Sequence, residues 1–250
     1  MPKFVDAVIR RQEVVDAVFR IIAADGLERA SLREVADEAQ LAVGSVRHYF
    51  ASSDELLTHA FAVVVDRIVG RVTAADSRQG DLPPGSAEHH VAVMALLGEF
   101  LPLDEERAVD ACVWMAFKNA ARTKPFLSAE ADRSHRAVAA VVGGLILGLA
   151  DAAESRGAGT PNPSGTDATS GADPSGTESD DDGADGSVGN NQQVLVTEAE
   201  LLLAVLDGLT MHALLQPEWM TALMCKDVLE AHLEGLNRRL AAGKPAINAS

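Results

Sequence analysis

Cysteine is almost missing from this chain: 250 residues hold only Cys112 and Cys225. Two thiols so far apart cannot build a disulfide framework, and nothing before Arg10 resembles a secretory signal, so a reduced, cytoplasmic setting is expected. Aromatic residues are scarce as well, at 4% with a single tyrosine, while apolar residues make up 47%. Such a core is filled by Ala, Val and Leu, which suit helix interfaces, and an all-β architecture is all but excluded. Positive charge is in deficit, with 21 Lys plus Arg against 37 Asp plus Glu and a net charge of −16. The chain as a whole repels polyanions, so any contact with nucleic acid must be local. Long apolar runs are missing too. The longest, AVAAVVGGLILGLA from Ala137 to Ala150, falls short of the ~20 residues that a membrane span needs. It is expected to be a buried helix, with no membrane partner and with the GxxxG spacing of Gly144 and Gly148 serving close helix packing.

From Gly157 to Gln193 the composition turns to Gly, Ser, Thr, Pro, Asn and Asp, with Val188 as the single large aliphatic residue. That stretch cannot bury enough apolar surface to offset the entropy of ordering, so a disordered acidic loop is expected over 157–193. Its Asp180, Asp181, Asp182 run lacks the spacing of a calcium loop. Elsewhere apolar residues recur at helical spacing, and the expected fold class is all-α. Val8, Val15, Val18, Phe19 and Ile22 form one stripe that predicts a helix over 5–25, ended by Gly26 as a left-handed cap. Ser31 with Glu34, and Ser52 with Glu55, match the capping box that opens a helix. Further helices are expected near 53–78, 86–101, 104–122, 127–155, 194–215 and 218–241, with Pro83, Pro84, Pro102, Pro125 and Pro217 at the breaks.

Between Ser31 and Phe50, SLREVADEA and VGSVRHYF are separated by QLA, the spacing of a helix-turn-helix. Leu32, Val35, Ala36 and Ala39 face inward, Leu41 plugs the turn, and Val46 and Phe50 anchor the second helix one turn apart. Its outer face carries Val43, Gly44, Ser45, Arg47 and His48, with Tyr49 at the flank. Small residues at the start of such a helix let the backbone approach base edges, and the donors that follow suit phosphates. An ordinary helical corner with a polar surface shares the same pattern.

The stretch from Val14 to Leu57, with AVFRIIAADGLERASLREVADEAQLAVGSVRHYFASSDELL at its centre, resembles the DNA-binding domain of TetR/AcrR-family regulators. The likeness lies in a helix ending in Gly, a second helix of T-x-x-x-I-A type, a recognition helix closing on Tyr-Phe, and a capped fourth helix. It implies a three-helix DNA-binding domain over 1–52. Ser31 would hold a phosphate, Arg33 would reach a base or phosphate, Val43, Gly44 and Ser45 would face base edges, and Arg47, His48 and Tyr49 would grip the backbone. Three positions depart from the family pattern: Ser53 stands where a phosphate-binding Lys is usual, Arg47 where a Tyr is common, and Gln40 where the turn usually has Gly. Residues 1–70 carry eight basic against eleven acidic residues.

From about residue 80 onward the chain resembles the family's helical ligand-binding and dimerisation domain, most like the branch of the choline-responsive betaine regulator, and the domain so implied is 53–250. The phrases DEERAVDACVWMAFKNAARTKPFL and LLLAVLDGLTMHALLQPEWMTALMCKDVLEAHLEGL carry that likeness. It implies a homodimer through the helices near 194–215 and 218–241, with Leu201, Leu202, Val205, Leu209, His212 and Leu215 on one stripe and Val228, Leu229, His232, Leu233 and Leu236 on the other. Met94, Trp114, Phe117, Lys118 and Met211 are candidate walls of a small-molecule pocket, although Met and aromatic residues at helical spacing more often simply pack. No catalytic triad order, phosphate loop or metal-ligand spacing is present, so neither an enzyme nor a metal or cofactor is expected; His89 and His90 fall on different helix faces. The expected function is a DNA-binding transcriptional regulator, a repressor released from a palindromic operator by an effector. The alternative is a helical ligand-binding or interaction protein of the same fold that has lost its operator.

Overall fold

The computed structural model describes residues 2–78, 82–157 and 184–242. Its helices are α1 (Pro2–Asp25), α2 (Leu32–Glu38), α3 (Val43–Tyr49), α4 (Ser53–Asp76), α5 (Ala87–Gly98), α6 (Glu105–Ala121), α7 (Ser128–Gly157), α8 (Ala184–Leu215) and α9 (Ala222–Ala241), with single 3-10 turns at Leu27–Arg29 and Pro125–Leu127. No strand occurs among the described residues, and the all-α reading holds.

Local chemistry sets the ends of the short helices. The Ser31 hydroxyl accepts from the Glu34 amide at 3.3 Å and the Ser52 hydroxyl from the Glu55 amide at 3.1 Å. The second box is closed by Glu55, whose carboxylate accepts from the Ala51 amide at 2.8 Å, whereas the carboxylate of Glu34 lies 3.6 Å from Arg29. Gly26 has φ 85° and ψ 167°, outside the left-handed helical well and in a region that essentially only glycine enters. The true left-handed cap is Gln40, at φ 56°. The Leu41 amide bonds Ala36 O at 2.9 Å and the Gln40 amide bonds Asp37 O at 3.2 Å, the paired bonds of a Schellman motif. The turn therefore demands the conformation that glycine adopts freely, and a side chain occupies it under strain.

Two apolar clusters form the core. The first joins Val14, Val18 and Phe19 of α1, Val35 of α2, Val46 and Phe50 of α3, Leu56, Phe61 and Val64 of α4, and Val113 and Phe117 of α6. The second joins Ala75 of α4 to α5, α7, α8 and α9. Helix α4 thus contributes to both clusters. Val8 leaves the expected α1 stripe, being 59% exposed.

The second half of the chain brings further corrections. Helix α8 begins at Ala184, so the last ten residues of the expected loop 157–193 are helical, and α7 reaches Gly157. A helix already packed at Val194 and Glu198 extends at little further loss, since nucleation is the unfavourable step. The middle of the expected loop lies outside the described residues. By length and composition, Pro125–Ala153 is the one described segment able to cross a membrane, with mean hydropathy 1.7. Its Val142, Leu145, Ile146 and Leu149 are taken up by the second cluster. A side chain at Gly144 or Gly148 would meet nothing within 4 Å, so the expected close packing is not made within the chain.

The stripes assigned to a partner subunit mostly face this chain's own core. Leu202, Leu209, Leu229, Leu233 and Leu236 are buried in the second cluster, because α8 and α9 must first cover α7. Helical periodicity marks an apolar face without saying which neighbour covers it. The large apolar residues that remain outward on the described part of α8, α9 and their connection are Val196, Met211, Leu215, Trp219, Leu223, Met224 and Val228. Glu198, fully buried, is held by Arg239 of α9 through two bonds of 2.8 Å. We expect Gln40→Gly to raise stability by about 0.5–1 kcal/mol, the left-handed strain less the added unfolded-state entropy. Chemical denaturation would show a higher midpoint with an unchanged slope.

Candidate nucleic-acid interface

The recognition helix α3 spans only Val43–Tyr49, is preceded by Ala42 without a side-chain cap, and could not persist alone in water. It is held from beneath by Val46 and Phe50, both fully buried. That anchoring leaves Gly44, Ser45, Arg47 and His48 exposed, with Val43 and Tyr49 half-buried against the first cluster. The His48 and Tyr49 rings meet edge to face at 5.3 Å. Ser31 and Arg33 are exposed at the start of α2, and Ser53 is half-buried at the start of α4. The expected residues thus lie along α3 and at the starts of α2 and α4. Added bulk at Gly44 would meet nothing within 4 Å, so no packing inside the chain demands glycine there.

Charge pairing makes this surface selective. Arg10 is paired with Glu13, Arg20 with Glu38, Arg29 with Glu34, and Arg67 with Asp16. Among the described residues of α1 to α4, Arg11, Arg33 and Arg47 have no carboxylate partner. An acidic chain thereby keeps a few uncompensated cations on its helix-turn-helix face.

The tetR family of bacterial regulatory proteins is matched over residues 14–60. Similarity extends far beyond that segment: the HTH-type transcriptional regulator PksA of Bacillus subtilis is 31% identical over 238 residues, covering 94% of each chain. This chain belongs to the TetR family. It is a DNA-binding transcriptional regulator. BetI of Escherichia coli, also an HTH-type transcriptional regulator, is 29% identical over 129 residues, 51% of this chain and 63% of BetI. The fold is shared with a transcriptional regulator from Saccharomonospora viridis in complex with choline, at TM-score 0.64 and 13% identity, covering 91% of this chain and 96% of that one.

A TetR-family regulator has a second place to inspect, the interior of its helical half. A cavity of about 40 Å³ lies between α4, α6, α7 and α8, lined by Val65, Phe100, Trp114, Val138, Leu206 and Thr210 among others. Of the five residues expected at a pocket, Trp114 borders it, its indole N–H donating to Ser134 Oγ at 2.7 Å. Lys118 places its ammonium 4.4 Å from the Trp114 ring centroid, in an adjoining depression. Phe117 does not belong there: it is fully buried and stacked on Phe61 at 4.9 Å within the first cluster. Met94 packs against the second cluster, and Met211 borders an open groove with Cys112 and Met115. Burial pushes the Cys112 thiol up, away from reactivity at neutral pH.

The polar side of the cavity escaped the sequence reading. Arg71 and Arg107 converge on Glu99 at 3.5 Å and 3.4 Å. Arg71 also donates to Asp110 at 2.6 Å, and Asp110 is 1% exposed. The available clue was Asp110 at helical spacing with Val113, Phe117 and Ala120, a carboxylate on the inward face of an apolar stripe. Among the described residues no group of three or more His, Cys, Asp or Glu is arranged to hold a metal. Arg47→Ala is expected to weaken binding to duplex DNA of any sequence and to flatten its salt dependence, with stability changed by less than about 0.5 kcal/mol. Fluorescence titrations at several salt concentrations, beside a melting curve, check both halves.

Proposed function

We propose that this regulator is a homodimeric repressor of the bacterial cytoplasm, released from a palindromic operator when a small molecule enters the cavity between α4, α6, α7 and α8. Residues 1–52 grip the DNA, with Val43, Gly44 and Ser45 at base edges, Ser31, Arg47, His48 and Tyr49 toward the backbone and Arg33 within reach of a base or a phosphate, joined by Ser53 at the start of α4. Residues 53–250 hold the effector and pair the subunits. The outward apolar side chains Met211, Leu215, Trp219, Leu223, Met224 and Val228 favour a subunit contact at the α8–α9 connection.

One observation carries the induction reading. The wall of the cavity is tied to the DNA-binding unit through a chain of ion pairs. Glu99 meets Arg71, Arg71 binds Asp110 of α6, Asp110 lies 3.6 Å from Arg67, and Arg67 binds Asp16 of α1 at 2.7 Å. With about 40 Å³ of room, the cavity accepts a few waters, so a larger guest has to part α4 from α6. Parting them strains the Asp110 clamp and shifts α4, on which the recognition unit rides. A two-fold dimer reads half-sites at a spacing fixed by the DNA helix, and a small change in separation breaks simultaneous engagement.

Selection of bound fragments from genomic DNA supplies the operator, and a thermal-shift screen supplies ligands. Hits that stabilise the protein should weaken operator binding by roughly 5- to 150-fold, the usual span of allosteric coupling. Ala111→Phe, whose ring overfills the cavity and so parts α4 from α6 without ligand, should weaken operator binding and abolish the further response to ligand. Ligands that bind without changing operator affinity would refute induction. Asp110→Asn is expected to lose about 3 kcal/mol, near the lower end for breaking a buried pair, since Asp16 and Glu99 remain for the two arginines; urea unfolding measures it.

A further inference from the structure

In the TetR-family pattern the fourth helix opens with a cation, and here that position is Ser53. Beyond the Ser53 hydroxyl, the start of α4 offers little to a phosphate. Ser52 and Glu55 already satisfy the Glu55 and Ala51 amides, and Asp54 and Glu55 add negative charge in its first turn. A phosphate arriving at the junction of α3 and α4 therefore needs a cation from another element.

Arg11 of α1 stands at that junction. Its guanidinium carbon lies 4.8 Å from the ring centroid of Phe50, the residue that closes the recognition helix. Phe50 is fully buried, and His59 of α4 meets its ring at 5.4 Å. Arg11 itself is exposed and has no carboxylate partner among the described residues. Its neighbour Arg10 is engaged by Glu13 at 2.7 Å. Stacking occupies the flat face of a guanidinium and leaves its N–H edge free, the edge that matches a phosphate bidentately. The Arg11 charge is also felt in the cluster: burial first, and Arg11 second, push the His59 pKa below its ordinary value. His59 is thus kept neutral at physiological pH and does not share in the cationic contact.

We propose that Arg11 is a DNA-backbone contact, supplied by α1 to the phosphate beside the α3–α4 junction in place of the missing α4 cation. The inference rests on DNA binding by the helix-turn-helix face and adds to it a residue outside that motif. Phe50 then has two tasks: it anchors α3 in the core and it aims Arg11. Arg11, Arg33 and Arg47 together make a set of uncompensated guanidiniums contributed by α1, α2 and α3.

The test compares the full-length protein with Arg11→Gln and Arg11→Lys on a short duplex of arbitrary sequence and on the selected operator, across salt concentrations. Each phosphate contact adds about 0.9 to the slope of log affinity against log salt, so Arg11→Gln should flatten the slope by about 0.9 per protomer on both duplexes. For two protomers the affinity falls about 60-fold at 0.1 M salt and is unchanged on extrapolation to 1 M. Arg11→Lys, which keeps the charge, should keep the wild-type slope. A purely structural role would lower affinity equally at all salt concentrations, or shift the unfolding midpoint with the slope intact, and either result overturns the proposal. Wild-type protein that fails to bind any duplex would instead refute the DNA reading on which the proposal rests.

Discussion

A carboxylate that water barely reaches fixes how the two apolar clusters sit on one another. Asp110 is 1% exposed, and a charge so placed persists only with cations in contact. Both cations come from α4, where Arg67 and Arg71 lie one turn apart and face α6. That requirement sets the rotation and the height of α6 against α4. It thereby places Phe117 on Phe61 in the first cluster and Trp114 at the cavity one turn away. Since Arg67 also binds Asp16, the same constraint reaches α1 and the recognition unit above it. Buried ion pairs of this kind add little net stability over a hydrophobic substitute of equal volume, and the value of the clamp is geometric.

The parts of the fold legible in the sequence are those decided locally. Capping residues act within one turn, so Ser31 and Ser52 announced their helices, and Val46 with Phe50 showed which face of α3 is inward. The departure at Gln40 was visible as a missing glycine, and the structure turns it into a left-handed residue under strain. What escaped the sequence depends on partners distant along the chain. The apolar stripes of α8 and α9 are real, yet most of their leucines cover α7 instead of a second subunit. Helix α8 starts ten residues before the change of composition at Val194, because propagation from a packed helix carries into polar sequence.

The candidate site divides along the same line. On the helix-turn-helix face, Gly44, Ser45, Arg47 and His48 are exposed as their positions on α3 require, because two anchors determine the orientation of a seven-residue helix. In the interior, residue type misled. Phe117 was read as a pocket wall for its aromaticity, while Phe100, Arg71 and Thr210 line the cavity because of where their helices cross. Arg11 was passed over because it precedes the recognisable motif, and only its position over Phe50 connects it to the interface.

The ion pairs that silence Arg10, Arg20 and Arg29 have a consequence for how such a regulator searches a genome. A DNA-binding regulator spends its time among a vast excess of wrong sites, and each uncompensated cation strengthens its hold on all of them alike. Acidic neighbours on the helix-turn-helix unit act as ballast against that indiscriminate attraction, so base contacts decide a larger share of occupancy. Glu34 and Glu38 touch no base on this reading, yet replacing either by glutamine frees an arginine and tightens binding everywhere. Such positions let a lineage trade selectivity for residence on DNA without altering which sequence α3 prefers.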